Sequence, residues 1–158
     1  MSPEWVHALA ELHQRALGST VEGWDETSLL ALLSNKNVVM TTIGSGGSLN
    51  SDEDTEPVAG FALSLKTESE ADLLTIVIAP EYQGCGLGKA LIEMQSQTLK
   101  DQGVRTWYLE VHEHNEPAVA FYENVGFRTC ARRPNYYPAW EGKRSPRAAA
   151  LVMCCNLD

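Results

Sequence analysis

The sequence predicts a mixed α/β fold in which one central sheet is flanked by about four helices. The chain has 158 residues, with 44% hydrophobic and 21% charged content, which is typical of one globular domain with a real core. Helix-like and strand-like apolar patterns follow one another in the order α-α-β-β-β-α-β-α-β-β. No internal repeat divides that order, so we assign residues 1–158 to a single domain.

The first half of the chain predicts two helices followed by three strands. Apolar residues three and four positions apart predict a helix over 4–17. Asp25 or Thr27 would cap a second helix that ends near Ser34. Apolar runs of strand length predict strands over 38–43, 58–66 and 71–79. Residues 44–57 are small, polar and acidic, so a flexible loop is expected there.

The second half predicts two further helices and three strands. An amphipathic pattern predicts a helix over 86–101. Its apolar face would contain Leu87, Leu91, Met94 and Thr98. Asn115 is a suitable N-cap for a short helix over 117–124. The predicted strands are 106–112, 127–132 and 148–157.

The charge of the chain argues against a nucleic-acid partner. The formal net charge is −9. Residues 1–81 hold 3 basic and 13 acidic residues, whereas residues 82–158 hold 9 basic and 8 acidic residues.

No apolar run approaches the length of about 20 residues that spans a bilayer, and the N-terminus shows no secretory signal. We therefore expect a cytoplasmic protein with no membrane partner.

The most informative segment is the glycine-rich sequence QGCGLGK at residues 83–89, between the third predicted strand and the following helix. Its glycines leave backbone N–H groups unshielded, and the helix adds its own free N–H groups and positive dipole end. Such a loop is typical of a phosphate-binding site. The spacing argues against a P-loop, because Gln83 and Ala90 replace required residues, and the pattern G-x-G-x-G argues against a Rossmann fingerprint.

The cysteines and histidines do not predict a metal site. The cysteines match no zinc or redox spacing, and we interpret them as reduced thiols, three of which lie in strands near the core. They are Cys85, Cys130, Cys154 and Cys155. His112 and His114 would face the same way at a strand end, but no motif supplies a third ligand.

The spacing that does fit is Q-x-x-G-x-G, formed by Gln83, Gly86 and Gly88. The later motifs, in order, are WYLEV at 107–111, Asn115, AFYENVGF at 120–127 and RRPNYYP at 132–138. With these motifs, residues 4–157 resemble the GNAT superfamily of acetyl-CoA-dependent N-acetyltransferases. The later motifs are similar to its RimI-type branch, the N-terminal alanine acetyltransferases of ribosomal protein S18. Pro134 departs from that branch because it is inserted in the last motif.

The resemblance implies a mostly antiparallel, twisted sheet that splays at the acetyl-CoA site. The glycine loop would hold the pyrophosphate, and the third strand would bond the pantetheine arm through its backbone. The N–H of either Val77 or Ile78 would polarise the thioester carbonyl. The implied cofactor-binding residues are Ile76, Val77, Ile78, Gln83, Gly84, Cys85, Gly86, Leu87, Gly88, Lys89 and Asn115.

The same resemblance implies how the acetyl group is transferred. An α-amine with a pKa of about 8 is mostly protonated at neutral pH, so a base must remove a proton. Glu110 would be that base, on the strand face opposite Trp107, Leu109 and Val111. Tyr122 would donate a proton to the departing thiolate. The implied substrate-binding residues are Tyr136, Tyr137 and Trp24.

The sequence thus predicts an enzyme that acetylates the N-terminal α-amine of a protein, by resemblance the alanine of ribosomal protein S18. A basic acceptor would suit the acidic N-terminal half. One alternative is a family member that acts on a small-molecule amine or a lysine side chain. Another alternative, from a different class, is a non-catalytic subunit that binds acyl-CoA.

Overall fold

The computed structural model describes residues 2–17, 24–50, 56–137 and 147–158. Its helices are α1 (Pro3–Leu17), α2 (Glu26–Leu33), α3 (Leu87–Asp101) and α4 (Glu116–Asn124). Its strands are β1 (Val38–Gly44), β2 (Val58–Lys66), β3 (Glu70–Ile78), β4 (Thr106–His112), β5 (Arg128–Arg133) and β6 (Ala150–Asn156). A short 3-10 helix, Pro80–Tyr82, follows β3. The predicted element order is confirmed, and every predicted end lies within two residues of the observed one.

The strands form one sheet in the order β1-β2-β3-β4-β6-β5. Every neighbouring pair is antiparallel except β3 and β4. Those two strands pair in parallel only over three residues, Glu70–Asp72 against 106–108. Beyond this short ladder the two strands are no longer paired, so the sheet opens between them. The predicted mixed sheet that splays at one point is therefore confirmed.

A β-bulge in β3 decides which side chains face the two sides of the sheet. The register against β2 shifts between Leu63 and Ser64, which leaves Leu74 as an extra residue in β3. Beyond the bulge, Ile76 packs against the apolar cluster that includes residues of α3 and α4. Val77 is buried in the second cluster, which includes residues of α1 and α2. The bulge thus sets the side-chain direction of the segment that approaches the opening of the sheet.

Each face of the sheet carries one apolar core. The first core surrounds the fully buried Trp107 and joins the sheet to α3 and α4. The second core joins α1 and α2 to β2 and β3 through buried residues such as Leu9, Leu29 and Phe61. The sheet is therefore the middle layer of three, and the opening between β3 and β4 is the place where the two covered faces meet.

A buried polar side chain fixes α3 on the sheet. The Gln95 amide donates to the carbonyl oxygens of Val39 and Ala62 at 3.1 and 3.0 Å, and its Oε1 accepts from Ser64 Oγ at 2.9 Å. The indole N–H of Trp107 donates to the same Ser64 hydroxyl at 3.0 Å. These bonds satisfy groups that would be costly to bury unpaired, and they tie α3 to β1 and β2.

The predicted apolar face of α3 was wrong in part, because the buried face of the helix includes the polar residue Gln95. The buried residues of α3 are Leu91, Ile92, Gln95 and Leu99. Met94 and Thr98, which were predicted to share the buried face, are only partly buried. The hydrogen bonds of Gln95 therefore decide which face of the helix meets the sheet.

Two loop predictions have different outcomes. Asp25 rather than Thr27 caps α2, since its side chain accepts the N–H of Ser28 at 2.8 Å. Of the predicted flexible loop 44–57, residues 51–55 lie outside the described residues. In the described part, the N–H of Gly46 donates to Oε2 of Glu56 at 2.7 Å.

In the described ranges, the structure contains no helix of the length and apolarity that crossing a membrane requires.

Candidate active site

A cleft of about 730 Å³ lies on the α3 and α4 side of the opening in the sheet. It is bounded by the end of β3, the glycine loop and α4. Nine of the residues predicted from the sequence line it: Ile76, Ile78, Gln83, Gly84, Gly86, Leu87, Gly88, Lys89 and Tyr122. Val77, Cys85 and Asn115, which were also predicted to bind the cofactor, do not line this cleft.

The glycine loop presents backbone groups to the cleft. Gly84 and Gly86 have φ values of 77° and 82°, in the left-handed region that favours glycine. A Cβ atom built at either position would meet no other atom within 4 Å, so this side of the loop is open space. Gly86 is the N-cap of α3 and provides no side-chain cap. The first N–H groups of α3 therefore receive no side-chain cap from Gly86, and anion binding there stays a prediction.

Three side chains of the loop have contacts that the sequence did not predict. The Gln83 amide donates to the carbonyl oxygen of Ile78 at 3.0 Å, which joins the loop to the end of β3. The Lys89 ammonium lies 3.7 Å from Glu93 on the exposed surface of α3. The exposed Cys85 thiol lies 3.7 Å from the carbonyl oxygen of Gln83. The Gln83 side chain therefore helps to hold the loop against β3, while the neighbouring glycines of the loop line the cleft.

The opposite wall of the cleft is α4, most of which the sequence reasoning missed as a site element. Its lining residues also include Pro117, Ala118, Phe121, Asn124 and Val125. The signal was present in the sequence, because these residues recur three and four positions apart on one helix face. A Cβ atom at Gly88 would lie 3.3 Å from Cζ of Phe121, so the glycine lets α3 approach α4 closely.

Tyr122 joins the cleft to the first core. Its ring packs edge-on against Phe121 and Phe127, with centroid distances of 5.3 and 5.8 Å. Burial raises the pKa of Tyr122 to about 12. The phenol therefore keeps its proton throughout the neutral range and can act as a hydrogen donor to a group in the cleft.

Asn115 lies at the start of the wall helix α4. Its side-chain oxygen accepts the N–H of Ala118 at 3.3 Å, and this cap was predicted from the sequence. A contact between Asn115 and the cofactor stays a prediction.

Glu110 lies on the other face of the sheet from the cleft. Its β4 neighbours Leu109 and Val111 are buried in the first core, so Glu110 points toward the α1 and α2 side. The carboxylate is about one-third exposed, and its Oε1 lies 3.1 Å from Nη1 of Arg133 on β5. A hydrogen bond with Glu110, together with the charge of this carboxylate, raises the pKa of Tyr136. Glu110 is thus accessible but already in contact with two side chains.

Aromatic residues form the surroundings of Glu110. The imidazole of His112 stacks on the ring of Tyr137 with a centroid distance of 4.8 Å. Tyr136 packs edge-on against Tyr137 at 5.1 Å, and the Arg133 guanidinium lies 5.9 Å from the centroid of Tyr136. Two of the three predicted substrate-binding residues therefore lie beside the predicted base.

Trp24, the third of them, packs on α1. Its ring stacks on His13 with a centroid distance of 4.7 Å and an interplanar angle of 7°. The backbone N–H of Trp24 donates to Nδ1 of His13 at 3.1 Å. Nε2 of His13 lies 3.2 Å from the hydroxyl of Thr75 on β3. The structure thus ties Trp24 to β3 through His13, and its contact with a substrate stays a prediction.

The remaining sequence predictions concern metals and thiols. In the part of the chain that the structure describes, no three His, Cys, Asp or Glu side chains are grouped as a metal ion requires. The four cysteines are free thiols, as predicted. Cys154 is buried, but the placement of Cys130 near the core was wrong, because β5 is an edge strand and the residue is exposed.

The two halves of the site lie on opposite faces of the sheet and meet at its opening. The cleft with Tyr122 is on the α3 and α4 face, whereas Glu110 is on the α1 and α2 face. Because β3 and β4 stop pairing after Asp72 and Tyr108, a ligand that passes between them can contact both faces. This geometry suits a reaction between two substrates that enter from opposite sides.

Comparisons with known proteins identify the family of the chain. The sequence model of the Acetyltransferase (GNAT) family matches residues 7–127. The chain is 44% identical over 100 residues to a ribosomal protein bS18-alanine N-acetyltransferase of Haemophilus influenzae. This alignment covers 63% of this chain and 66% of that protein. It is 40% identical over 94 residues to the Escherichia coli enzyme of the same name, over 60% and 64% of the two chains. The matched part thus spans just under two thirds of these curated relatives.

A solved structure extends the likeness to the whole fold. The crystal structure of the ribosomal-protein-S18-alanine N-acetyltransferase from Escherichia coli superposes with a TM-score of 0.76 and 28% identity. The superposition covers 100% of this chain and 91% of that chain. Since the family model matches well over half of the sequence, the chain belongs to the GNAT family of acetyltransferases.

Proposed function

We propose that this protein transfers the acetyl group of acetyl-CoA to the N-terminal α-amine of a protein, and that its acceptor is the N-terminal alanine of ribosomal protein S18. One observation carries the proposal. A cleft lined by the glycine loop on one face of the sheet meets a carboxylate on the other face, at an opening between two strands. The names of the matched relatives support the choice of acceptor.

The cleft suits acetyl-CoA because it offers two kinds of backbone contact. The N–H groups of the glycine loop and of the first turn of α3 would hold the pyrophosphate, and Lys89 would add positive charge. Between Leu73 and Ile78, no strand of the described residues pairs with β3 on its β4 side. Its main-chain groups there would bond the amide-rich pantetheine arm, as an added strand would. At Gly84 and Gly86, where a Cβ would meet no described atom within 4 Å, the loop leaves the space that a close approach to its backbone requires.

Glu110 would prepare the acceptor amine. The α-amine, with a pKa of about 8, arrives mostly as an ammonium group at neutral pH. Glu110 would take one proton from it, directly or through a water molecule, so that the nitrogen lone pair becomes a nucleophile. Tyr136 and Tyr137 would border the acceptor peptide, because they already pack beside Glu110. Trp24 would border the peptide from the α1 and α2 side.

Acetyl transfer would then use the strand and the tyrosine. The amine nitrogen attacks the thioester carbonyl carbon, and an N–H of Val77 or Ile78 stabilises the oxyanion that forms. When the tetrahedral intermediate collapses, the carbon–sulfur bond would break and the sulfur would take the proton of the Tyr122 hydroxyl. The nitrogen would lose its second proton as the amide forms, and this proton, passed through water, would restore the Tyr122 phenol. Tyr122 is protonated in the resting enzyme at neutral pH, so its hydroxyl has a proton to donate, while burial makes it a weaker acid than a free phenol. Asn115 would contact the coenzyme at the start of α4.

The acceptor is the part of the proposal that the geometry constrains least. The acidic N-terminal half of the chain would favour a basic acceptor over an acidic one. Ribosomal proteins and acetyl-CoA share the cytoplasm, where we place the reaction. Acetylation of an unassembled protein N-terminus requires no nucleic-acid contact and no membrane.

Mass spectrometry of matched peptides tests this function. One peptide has a free N-terminal alanine and no lysine, a second has a blocked N-terminus and one lysine, and a small primary amine is the third substrate. We expect rapid acetylation of the first alone. Exclusive acetylation of the lysine or of the small amine would refute the α-amine assignment. Binding of acetyl-CoA without turnover on any of the three would favour a non-catalytic protein.

A further inference from the structure

The loop between β5 and β6 carries both tyrosines that lie beside Glu110, and its two ends are held together. The N–H of Tyr137 donates to the carbonyl oxygen of Ala148 at 3.0 Å. Ala148 and Ala149 are buried, although they belong to a connection. We call the described ends of this connection, residues 134–137 and 147–149, the loop neck. Its position decides where the tyrosines lie.

Glu113, the first residue after β4, connects the loop neck to the strand of the proposed base. Its N–H donates to the carbonyl oxygen of Ala149 at 3.0 Å, and its Oε1 accepts the N–H of Ala149 at 2.8 Å. Its Oε2 accepts from Nε and Nη2 of Arg132 at 3.0 and 2.9 Å. One side chain therefore contacts both the strand that enters the loop and the segment that leaves it.

The contacts that Glu113 supports continue to Glu110. Arg132 is followed by Arg133, whose guanidinium is paired with Glu110. Tyr136, within the loop neck, interacts with the same carboxylate, which raises the pKa of its phenol. A shift of the loop neck relative to β4 would therefore change the distances between Glu110 and the residues around it.

We propose that Glu113 is a positioning residue of the acceptor site, which clamps the loop neck to the end of β4 and so keeps Tyr136 and Tyr137 beside Glu110. The proposal rests on the acetyltransferase function above and identifies the residue that shapes its acceptor side. Glu113 does not line the cofactor cleft. A defect in the clamp should thus affect the acceptor and leave acetyl-CoA binding unchanged.

A carboxylate meets the demands of this position better than an amide. Both of its oxygens accept, one from a backbone N–H and the other from a guanidinium. The N–H of Ala149, and next the side chain of Arg132, hold the pKa of Glu113 below its ordinary value. A glutamine would keep one acceptor for Ala149, but its NH2 group would face the donors of Arg132.

The test compares Glu113→Ala and Glu113→Gln with a matched control. Glu68→Gln also removes one carboxylate, from the exposed turn between β2 and β3. We expect the KM for an N-terminal acceptor peptide to rise about tenfold in Glu113→Ala and less in Glu113→Gln, because charged hydrogen bonds are lost in both. The kcat at saturating peptide and the calorimetric Kd of acetyl-CoA should change less than about twofold, as in the control.

A second readout does not depend on acetyl transfer. Hydrogen exchange of the Ala149 amide, followed by NMR, should be faster in Glu113→Ala than in the wild type or in Glu68→Gln. If the wild type acetylates no peptide, the proposed function fails while the exchange data still test the clamp. Should Glu113→Ala not fold, Arg132→Gln removes the same contact from the other side and takes its place.

Two results would overturn the proposal. One is an unchanged peptide KM in a folded variant that lacks the clamp. The other is a rise in the peptide KM that is matched by an equal loss of acetyl-CoA affinity, since a general structural defect would produce both.

Discussion

The carboxylate of Glu110 and the guanidinium of Arg133 lie 3.1 Å apart, across the intervening strand β6. The proposed base thus holds a cation of the protein itself, in the place where the proposed mechanism puts the substrate ammonium group. A carboxylate that is already paired with a guanidinium attracts a second cation less strongly, so Arg133 competes with the acceptor amine for Glu110.

Removal of Arg133 should therefore improve acceptor binding. In Arg133→Gln we expect the KM for the acceptor peptide to fall by up to about threefold, because partly exposed ion pairs are worth about 1 kcal/mol or less. Steady-state kinetics with an N-terminal alanine peptide would measure this change. Arg128→Gln, on the same strand, is the control for the loss of one positive charge. A higher peptide KM in Arg133→Gln alone would instead indicate that Arg133 binds the acceptor.

The two proposed proton-transfer residues should be separable from binding. Glu110→Gln and Tyr122→Phe keep the shape of each side chain, and each should lower kcat by at least about tenfold, because general acid–base catalysis contributes about 10²–10⁴-fold. The calorimetric Kd of acetyl-CoA should change little in either variant. Wild-type kcat in both variants would remove the assigned roles.

The pKa of Tyr122 makes a separate prediction. Because burial raises the pKa to about 12, the phenol stays protonated as the pH rises through the ordinary range of tyrosine near 10. Loss of the proton from Tyr122 should therefore cause no fall in kcat at about pH 10. Spectrophotometric titration of tyrosinate should show that Tyr122→Phe removes one of the last groups to ionise. Loss of an early-titrating group in that variant would contradict the buried position of the ring.

The glycine loop should be sensitive to a methyl group for a reason that a matched variant can isolate. Gly86 and Gly103 have nearly equal φ values, 82° and 86°, and a Cβ at either would meet no atom within 4 Å. Alanine at each position should cost about 1 kcal/mol of folding free energy, the cost of a left-handed non-glycine residue. Gly86→Ala should in addition weaken acetyl-CoA binding several-fold in calorimetry, because it lies at the N-terminus of α3, whereas Gly103→Ala should not. Equal affinities in the two variants would mean that the backbone of Gly86 does not approach the ligand.

Local patterns made most of the fold predictable. The Asn115 cap and the alternation along β4 depend on neighbours within a few residues, so they could be predicted from the sequence, which also narrowed the cap of α2 to Asp25 or Thr27. The buried face of α3 was not, because Gln95 is bonded to groups on β1 and β2 that are distant in the chain. The bulge at Leu74 could not be predicted from the sequence either, because it appears only in the pairing register of β3 with β2.

The candidate site divides in the same way. Tyr122 and the residues of the glycine loop other than Cys85 belong to continuous motifs, and they line the cleft. The contact between Glu110 and Arg133 depends on the strand order β4-β6-β5, in which the last strand of the chain separates the two residues. The spacing of these residues along the sequence does not reveal the order of the strands in the sheet.

The stability of the protein should fall in mild acid because of His13. This residue is 2% exposed, and its Nδ1 accepts the N–H of Trp24, which protonation would prevent. Burial lowers the pKa of His13 from the ordinary 6.5, so the unfolded chain takes up this proton at a higher pH than the folded one. Stability is therefore unaffected above 6.5 and is lost as the pH falls from 6.5 toward the folded pKa. Melting temperatures measured from about pH 5 to 8 should show this slope, and His13→Gln should flatten it.

His7 provides a control of the opposite sign on the same helix. A hydrogen bond to Glu26, followed by the charge of that residue, raises the pKa of His7 above 6.5. Its contribution to stability is therefore complete below 6.5 and is lost as the pH rises through the folded pKa. His7→Gln should make the protein less stable at low pH, and it should leave the acid-induced loss due to His13 in place. An unchanged acid slope in His13→Gln would show that the link between α1, Trp24 and β3 does not depend on a neutral imidazole.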